Sequence, residues 1–244
     1  MSLEVHLTKD LSHTLYVTEL DETYHSRNGA LEEALYVYIG KGLLDFINHS
    51  KTENNRSQTK EISILEIGYG TGLNTWLTAM ECAKLNIKCN YTSLETVPLP
   101  LELINQLNYT DNVTELNKEL FFQLHESAWN STIEVSNNFT LQKIHTSLQN
   151  LIPKTSFDII YFDAFAPEKQ PELWTKELFQ KLFDCLNTNG SIVTYSSKGE
   201  VKRIWKEIGF TVERLPGPPM KRHMLRGRKT AKSTPNQYTE NTHG

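Results

Sequence analysis

The stretch ILEIGYGTGLNTWLTAM, Ile64 to Met80, decides the fold. A short apolar run meets three glycines at alternate positions, Gly68, Gly70 and Gly72, and a helical pattern follows. A buried strand that turns sharply into a helix through glycines builds a nucleotide-sized site. Glycine permits left-handed backbone and close approach, and a helix N-terminus offers free N–H groups. Spacing narrows the ligand. A dinucleotide fingerprint needs glycine or alanine at position 73, where Leu73 stands. A phosphate-binding P-loop needs Lys-Ser/Thr after its last glycine, and the chain reads Leu73-Asn74. What remains is an acid, Glu66, two residues before a GxGxG loop.

Outward from this stretch, strands and helices alternate. Strand Ser63–Ile67 leads into a helix from Gly72 to Leu85, and strand Asn90–Leu94 ends at Glu95. A polar, helix-prone stretch spans Leu99 to Trp129. Strands Ser131–Ser136 and Thr140–Ile144 flank Asn137-Asn138, and strand Phe157–Phe162 ends at Asp163. A helix from Lys176 to Leu186, stopped by Asn189-Gly190, precedes strand Ser191–Tyr195. A helix from Glu200 to Ile208 precedes strands Thr211–Leu215 and His223–Gly227. The pattern predicts an α/β fold, a mostly parallel sheet with helices on both faces. The Pro216-Gly217-Pro218-Pro219 turn predicts an antiparallel hairpin at its C-terminal edge. Upstream, His13–Leu20 reads as a strand of a small N-terminal β-rich extension, followed by a helix from about Leu31 to Ile47 and a loop at Lys51–Lys60. Residues 1–229 form one domain in this reading, and 230–244 a polar, disordered tail.

Composition bounds the class. With 244 residues, 38% hydrophobic and 22% charged, the chain can bury one large core. No apolar run approaches the ~18 residues of a membrane span, and the N-terminus carries acids unlike a signal peptide. Cys82, Cys89 and Cys185 form no CxxC, which fits reduced thiols in a cytoplasmic protein. No HExxH or Cys/His zinc spacing occurs, so no metal is expected. Net charge is −4, yet Met220–Lys232 carries Lys221, Arg222, Arg226, Arg228, Lys229 and Lys232 without an acid. That run reads either as a phosphate-binding stripe or as a basic edge strand running into solvent.

Ligands in such sheets bind beyond the carboxyl ends of the strands. Glu66, Glu95 and Asp163 fall at or near such ends. Glu95 lies 27 positions after Gly68, near the ~20 expected of an acid that holds ribose hydroxyls. Asp163 opens DAFAP after an apolar strand; it reads as a turn cap or as an acceptor for an amine, with Phe165 stacking on a base. Trp174 reads as core or as substrate contact. Lys198, at another strand end, is a candidate for the substrate side; His145 reads as structural.

The acid and GxGxG resemble the first motif of S-adenosylmethionine (SAM) methyltransferases. SAM carries an ammonium and a sulfonium rather than a pyrophosphate, which suits an acid. Five segments in order, TYHSRNGALEEALYVY, ILEIGYGTGLNT, SLETVPL, YFDAFAPEKQPELWT and GSIVTYSSKGEVKRIWKEIGFTVERLPGPPMKRHMLRG, are similar to the MnmC methyltransferase domain. The resemblance implies a Rossmann-like SAM-dependent methyltransferase fold. It implies methylation of the amino group of 5-aminomethyl-2-thiouridine at the tRNA wobble position, giving 5-methylaminomethyl-2-thiouridine. It also implies the standalone form, without the FAD-dependent oxidase fused in some members, and an anticodon stem-loop as partner. A separate upstream wobble-uridine enzyme is then a candidate partner, and no membrane is.

Carried onto this chain, the resemblance implies that Glu66, Gly68, Gly70 and Gly72 hold the SAM amino-acid end and that Glu95 holds the ribose. Tyr24, His25, Ser26 and Gly29 would close over the cofactor. Asp163 would sit beside the methyl group, oriented toward the amine, with water taking the proton. Lys221 and Arg222 would meet RNA. Three places depart from the family: Thr96 replaces a basic residue, His145-Thr146 replaces Gly-Asp at the adenine, leaving a backbone amide or the Thr146 hydroxyl as the substitute contact, and Ala164 replaces glycine. A small-molecule amine methyl- or aminopropyltransferase and a catalytically silent tRNA-binding module are the competing readings.

Overall fold

The computed structural model describes residues 2–54, 61–111, 113–153 and 155–231. The expected tail beyond Ala231 and the rear of the expected loop, 55–60, lie outside them. Eight strands form one sheet in the order β10-β11-β9-β8-β4-β5-β7-β6, with β4 (Glu61–Ile67), β5 (Lys88–Glu95), β6 (Thr132–Ser136), β7 (Phe139–His145), β8 (Phe157–Phe162), β9 (Leu186–Thr194), β10 (Thr211–Pro216) and β11 (His223–Arg228). β4, β5, β7, β8 and β9 run parallel, whereas β6, and β11 against β9 and β10, run antiparallel. A small antiparallel sheet, β1 (Leu3–Leu7), β2 (His13–Val17) and β3 (Glu22–Thr23), precedes it.

The apolar run of β8 is long because the strand is buried on both faces. Ile159 and Tyr161 join one core with helix α3 (Leu73–Leu85), including Trp76, and with the first helical run. Ile160 and Phe162 join the other core, with Phe179 of α6 (Lys176–Cys185) and Trp205 of α7 (Gly199–Ile208). Among its described residues, the long region between β5 and β6 carries two helices, α4 (Leu101–Ile104) and α5 (Glu115–Glu126), the latter capped by Thr114.

Three local expectations change. The first helix is longer than its apolar pattern: α1 (Ala30–Ala34), a π-helical segment (Leu35–Leu44) and α2 (Asp45–Asn54) run on continuously. Residues 51–54 are therefore helical, not loop. The π segment lies against the sheet at Gly42, where a Cβ would stand 2.9 Å from the Tyr161 ring. Asn189-Gly190 does not stop α6, because β9 begins at Leu186 and passes through both residues at a register shift against β8, with Asn189 at φ 68°.

Register sets the site. Ile67 pairs with Leu94 on one side and Phe162 on the other. The next residues, Gly68, Glu95 and Asp163, therefore emerge side by side at the carboxyl edge. β4 is the switch point, since chain order runs away from it in both directions, and a ligand crevice belongs there.

Candidate active site

A cavity of about 670 Å³ opens over this edge. Gly68, Gly70, Glu95, Thr146, Asp163, Phe165 and Lys221 line it, and Tyr24, His25 and Ser26 reach it from the N-terminal extension. Glu66, Gly72, Gly29, Trp174, Lys198 and Arg222 are not part of its wall.

The glycine loop is tight for identifiable reasons. Gly68 has φ +95°, and a Cβ there would lie 2.8 Å from the Asp163 carbonyl. Gly70 has φ +49° and packs under the Tyr24 ring. A larger residue would be strained at either position, and would press the loop off the Asp163 turn at Gly68 or off Tyr24 at Gly70. The Gly70 N–H donates to Oε2 of Glu95 at 2.9 Å, while the N–H groups of Thr96 and Val97 donate to Oε1 at 2.8 and 2.9 Å. A carboxylate has roughly four lone-pair sites. Three are used by the backbone, so Glu95 ties the loop to the end of β5 and keeps limited capacity for a ligand hydroxyl. Thr146 follows β7, and its N–H donates to the Glu95 carbonyl at 3.0 Å.

Asp163 has two donors. The Tyr38 hydroxyl reaches Oδ1 at 2.6 Å and Nδ2 of Asn74 reaches Oδ2 at 2.8 Å. Burial pushes its carboxyl up to about 7, with Glu33 adding to the rise; the Tyr38 and Asn74 hydrogen bonds and the Lys221 charge oppose it. Raised this far, the group can hold or release a proton near neutrality. The following turn is fixed from the core. Tyr195 donates its hydroxyl to the Ala164 carbonyl at 3.0 Å, and Nε1 of Trp174 donates to the Phe165 carbonyl at 2.9 Å. Trp174 is buried with its ring 4.8 Å from Phe162, so it supports the turn from outside the cavity wall. Phe165 meets Tyr24 edge to face at 5.1 Å.

The expected basic stripe is mostly consumed inside the protein. Lys221 pairs with Glu33 and lies 4.5 Å over the Tyr195 ring. Arg226 and Arg228, both buried, pair with Asp45 and Glu213. The Lys229 ammonium donates to the carbonyls of Phe183 and Leu186, each at 2.8 Å. Arg222 is exposed, and Lys232 lies outside the described residues. Lys198 pairs with Glu168 outside the cavity. Glu66 lies wholly buried behind the glycine loop, accepting from Thr75 at 3.0 Å and Ser93 at 2.6 Å. Direct contact between Glu66 and a ligand in the cavity is thus corrected to a place beneath its floor. Gly72 packs against His125, where a Cβ would lie 2.7 Å from the ring, and Gly29 packs against Asp10. The His25 imidazole is lowered to about 4, chiefly by burial, so it is neutral.

Sequence reasoning missed Tyr38, Asn74, Glu33 and Tyr195. Asn74 alone carried a signal, since it sits in the first turn after the glycines and faces back toward the strand ends.

The likenesses agree with this geometry. Residues 107–230 match a family described as S-adenosyl-L-methionine-dependent methyltransferase. The tRNA 5-methylaminomethyl-2-thiouridine biosynthesis bifunctional protein MnmC of Nitrosospira multiformis is 30% identical over 221 residues, 87% of this chain and 35% of that protein. Its counterpart in Methylobacillus flagellatus is 28% identical over 231 residues, 90% of this chain and 34% of that protein. The chain thus spans about a third of the length of these curated relatives. The crystal structure of MnmC2 from Aquifex aeolicus superposes with a TM-score of 0.75 at 23% identity, over 96% of this chain and 72% of that one, a likeness of fold. Among the described residues no helix is long and apolar enough to cross a membrane. With a glycine loop, a strand-end acid on either side of it and a family match over half of its length, the chain belongs to the S-adenosyl-L-methionine-dependent methyltransferases, and S-adenosyl-L-methionine is its cofactor.

Proposed function

We propose that this chain methylates the amino group of 5-aminomethyl-2-thiouridine at the wobble position of tRNA, giving 5-methylaminomethyl-2-thiouridine. The observation that carries the reading is Asp163, held between Tyr38 and Asn74 on the cavity wall beside the aromatic pair Tyr24 and Phe165. The names of the relatives point the same way.

The cavity suits the cofactor. Its volume lies within the usual range of ligand sites, roughly 300–1,000 Å³. The crowding at Gly68 and Gly70 lets backbone form the wall, and Glu95 offers an acid to a ribose hydroxyl. When bound, S-adenosyl-L-methionine supplies an electrophilic methyl group on a sulfonium. The protein must then present a neutral amine in line with it. An alkylamine reaches the site mostly protonated. The amine sheds that proton to solvent on entry, and Asp163, poised near 7, accepts the one released once the new N–C bond forms. The buried carboxyl makes Asp163 a better acceptor than the water expected from sequence. Its negative form also stabilises the ammonium that develops during transfer. Phe165 and Tyr24 offer ring faces for a base, since stacking tolerates a planar heterocycle. Proximity supplies much of the remaining acceleration.

The test is incubation with S-adenosyl-L-methionine and tRNA bearing 5-aminomethyl-2-thiouridine, scored by nucleoside mass, beside a panel of small primary amines. Gain of one methyl on the wobble nucleoside is expected. Transfer to small amines while that tRNA stays unmethylated would replace this reading with the small-molecule one.

A further inference from the structure

Across the carboxyl edge of the sheet the order is Asp163 after β8, Gly68 after β4, Glu95 at the end of β5 and Thr146 after β7. A cofactor with its methyl at Asp163 and its ribose at Glu95 lays its adenine against the next part of the wall. That part is Thr96-Val97, after β5, and Thr146 to Leu148, after β7. Thr96 and Val97 are exposed and belong to no strand or helix. Two side chains hold them. Oε1 of Glu95 takes both N–H groups, at 2.8 and 2.9 Å. His145, opposite Glu95 in the β5–β7 register, brings Nε2 to 3.0 Å from the Thr96 carbonyl. A carbonyl only accepts, so Nε2 carries the hydrogen and the imidazole donates. Among the described residues no other hydrogen bond reaches the backbone of this pair.

We propose that His145 is a positioning residue for the cofactor: by donating from Nε2 to the Thr96 carbonyl it fastens the ends of β5 and β7 together and presets the wall that receives adenine. The ring is not part of the cavity wall, so it acts through Thr96 and Val97. It stands on a firm base. The His145 N–H donates to Oδ1 of Asn130 at 3.0 Å, and the Asn130 N–H donates to the Lys143 carbonyl at 2.7 Å, continuing the β7 edge past the start of β6. Trp129 meets the imidazole edge to face at 6.2 Å. On the inner side the Thr146 N–H donates to the Glu95 carbonyl at 3.0 Å, which leaves Thr146 its hydroxyl, not its amide, for a ligand. A wall ordered before binding spares the complex that ordering cost. The proposal rests on the reading of Glu95 as the ribose acid, and its binding tests need no RNA.

Calorimetry with S-adenosyl-L-methionine, and separately with adenosine, tests it. His145→Ala should weaken both about five- to tenfold, as the loss of one hydrogen bond would. His145→Gln should recover most of that loss, because its amide nitrogen takes the place of Nε2. His145→Asn should not, because its nitrogen falls at the position of Nδ1. At saturating cofactor, single-turnover transfer by His145→Ala should stay within about twofold of wild type, since the wall serves the ground state and the transition state alike. Nitrogen NMR in alkaline buffer should find the ring hydrogen of His145 on Nε2. Unchanged affinity in His145→Ala, a loss that spares adenosine, equal affinities in His145→Gln and His145→Asn, or a ring hydrogen on Nδ1 overturns the proposal. If wild type leaves the tRNA unmethylated while the binding series and the NMR behave as expected, the substrate reading fails and the role of His145 stands.

Discussion

The Tyr38 hydroxyl donates to Oδ1 of Asp163 at 2.6 Å, across 125 positions of chain. The donor comes from a π-helical segment on one face of the sheet, and the acceptor from the strand end beneath it. π-Helical turns are rare and concentrate at functional sites. This one places a phenol on the carboxylate to which the proposed function assigns the proton. The hydrogen bond favours the ionised carboxylate, so removing it raises the Asp163 pKa further. Tyr38→Phe should move the acidic limb of the pH–rate profile upward by about one unit, because hydrogen bonds to charged groups contribute ~1.5–3 kcal/mol. Transfer should fall more at about pH 6 than at about pH 8, and a profile that keeps its acidic limb in place would remove Tyr38 from the mechanism.

Asp163 should also cost stability. Its folded value, about 7, lies above the ordinary 3.8 of the unfolded chain. A raised carboxyl contributes stability below the unfolded value and loses it as pH rises through the folded one. Asp163→Asn should therefore raise the melting temperature by a few degrees at about pH 8.5 and by little at about pH 4. Each kcal/mol corresponds to roughly 2–4 °C in a chain of this size. Thermal melts at the two pH values decide it; an equal shift at both would mean that the carboxylate is not strained by burial.

Glu95→Ala should weaken S-adenosyl-L-methionine binding by about 2–3 kcal/mol, through a lost hydroxyl contact and through release of the Gly70, Thr96 and Val97 N–H groups it gathers. Calorimetry measures this, with NAD as the control that should not bind. Unchanged affinity would show that Glu95 faces the cavity without meeting the ligand.

The basic residues divide into two groups with different phenotypes. Arg226 holds Asp45 and Glu213 at the edge hairpin; Arg226→Ala should lower stability by about 2–3 kcal/mol, discounted from a fully buried pair because both acids are partly exposed. Arg222 is exposed and Lys169 lines the cavity. Arg222→Glu with Lys169→Glu should raise the Michaelis constant for tRNA and flatten its salt dependence, leaving cofactor affinity nearly intact. Melting curves and kinetics at several salt concentrations separate the groups. Unchanged tRNA kinetics in the double variant would move the RNA path elsewhere on the surface.

The end of β8 was readable because an apolar run buried on both faces stops abruptly at Asp163, whereas Glu95 closes the more polar, alternating strand β5. Glycines at 68 and 70 were readable for a related reason: few other residues permit such a loop. What surrounds Asp163 was not. Tyr38 looks like one more apolar position of a helix, and nothing local says that its hydroxyl meets a residue 125 positions away. The basic run Met220–Lys232 misled in the opposite sense. Sequence displays its charges but hides Glu33, Asp45 and Glu213, the distant acids that neutralise several of them. Trp174 reads in sequence as core or as substrate contact, and only the fold shows it buried with its indole N–H on the Phe165 carbonyl.

The account turns on Asp163 as the group that takes the proton and meets the developing ammonium, and Asp163→Asn tests it most directly. Asparagine keeps the shape and loses both the charge and the basicity. In single-turnover transfer to tRNA bearing 5-aminomethyl-2-thiouridine, the rate should fall on the order of 10²-fold or more. The dissociation constants for S-adenosyl-L-methionine and tRNA should stay within a few-fold, as for an interaction made mainly in the transition state. Transfer at the wild-type rate would contradict the account and leave Asp163 as the cap of a turn.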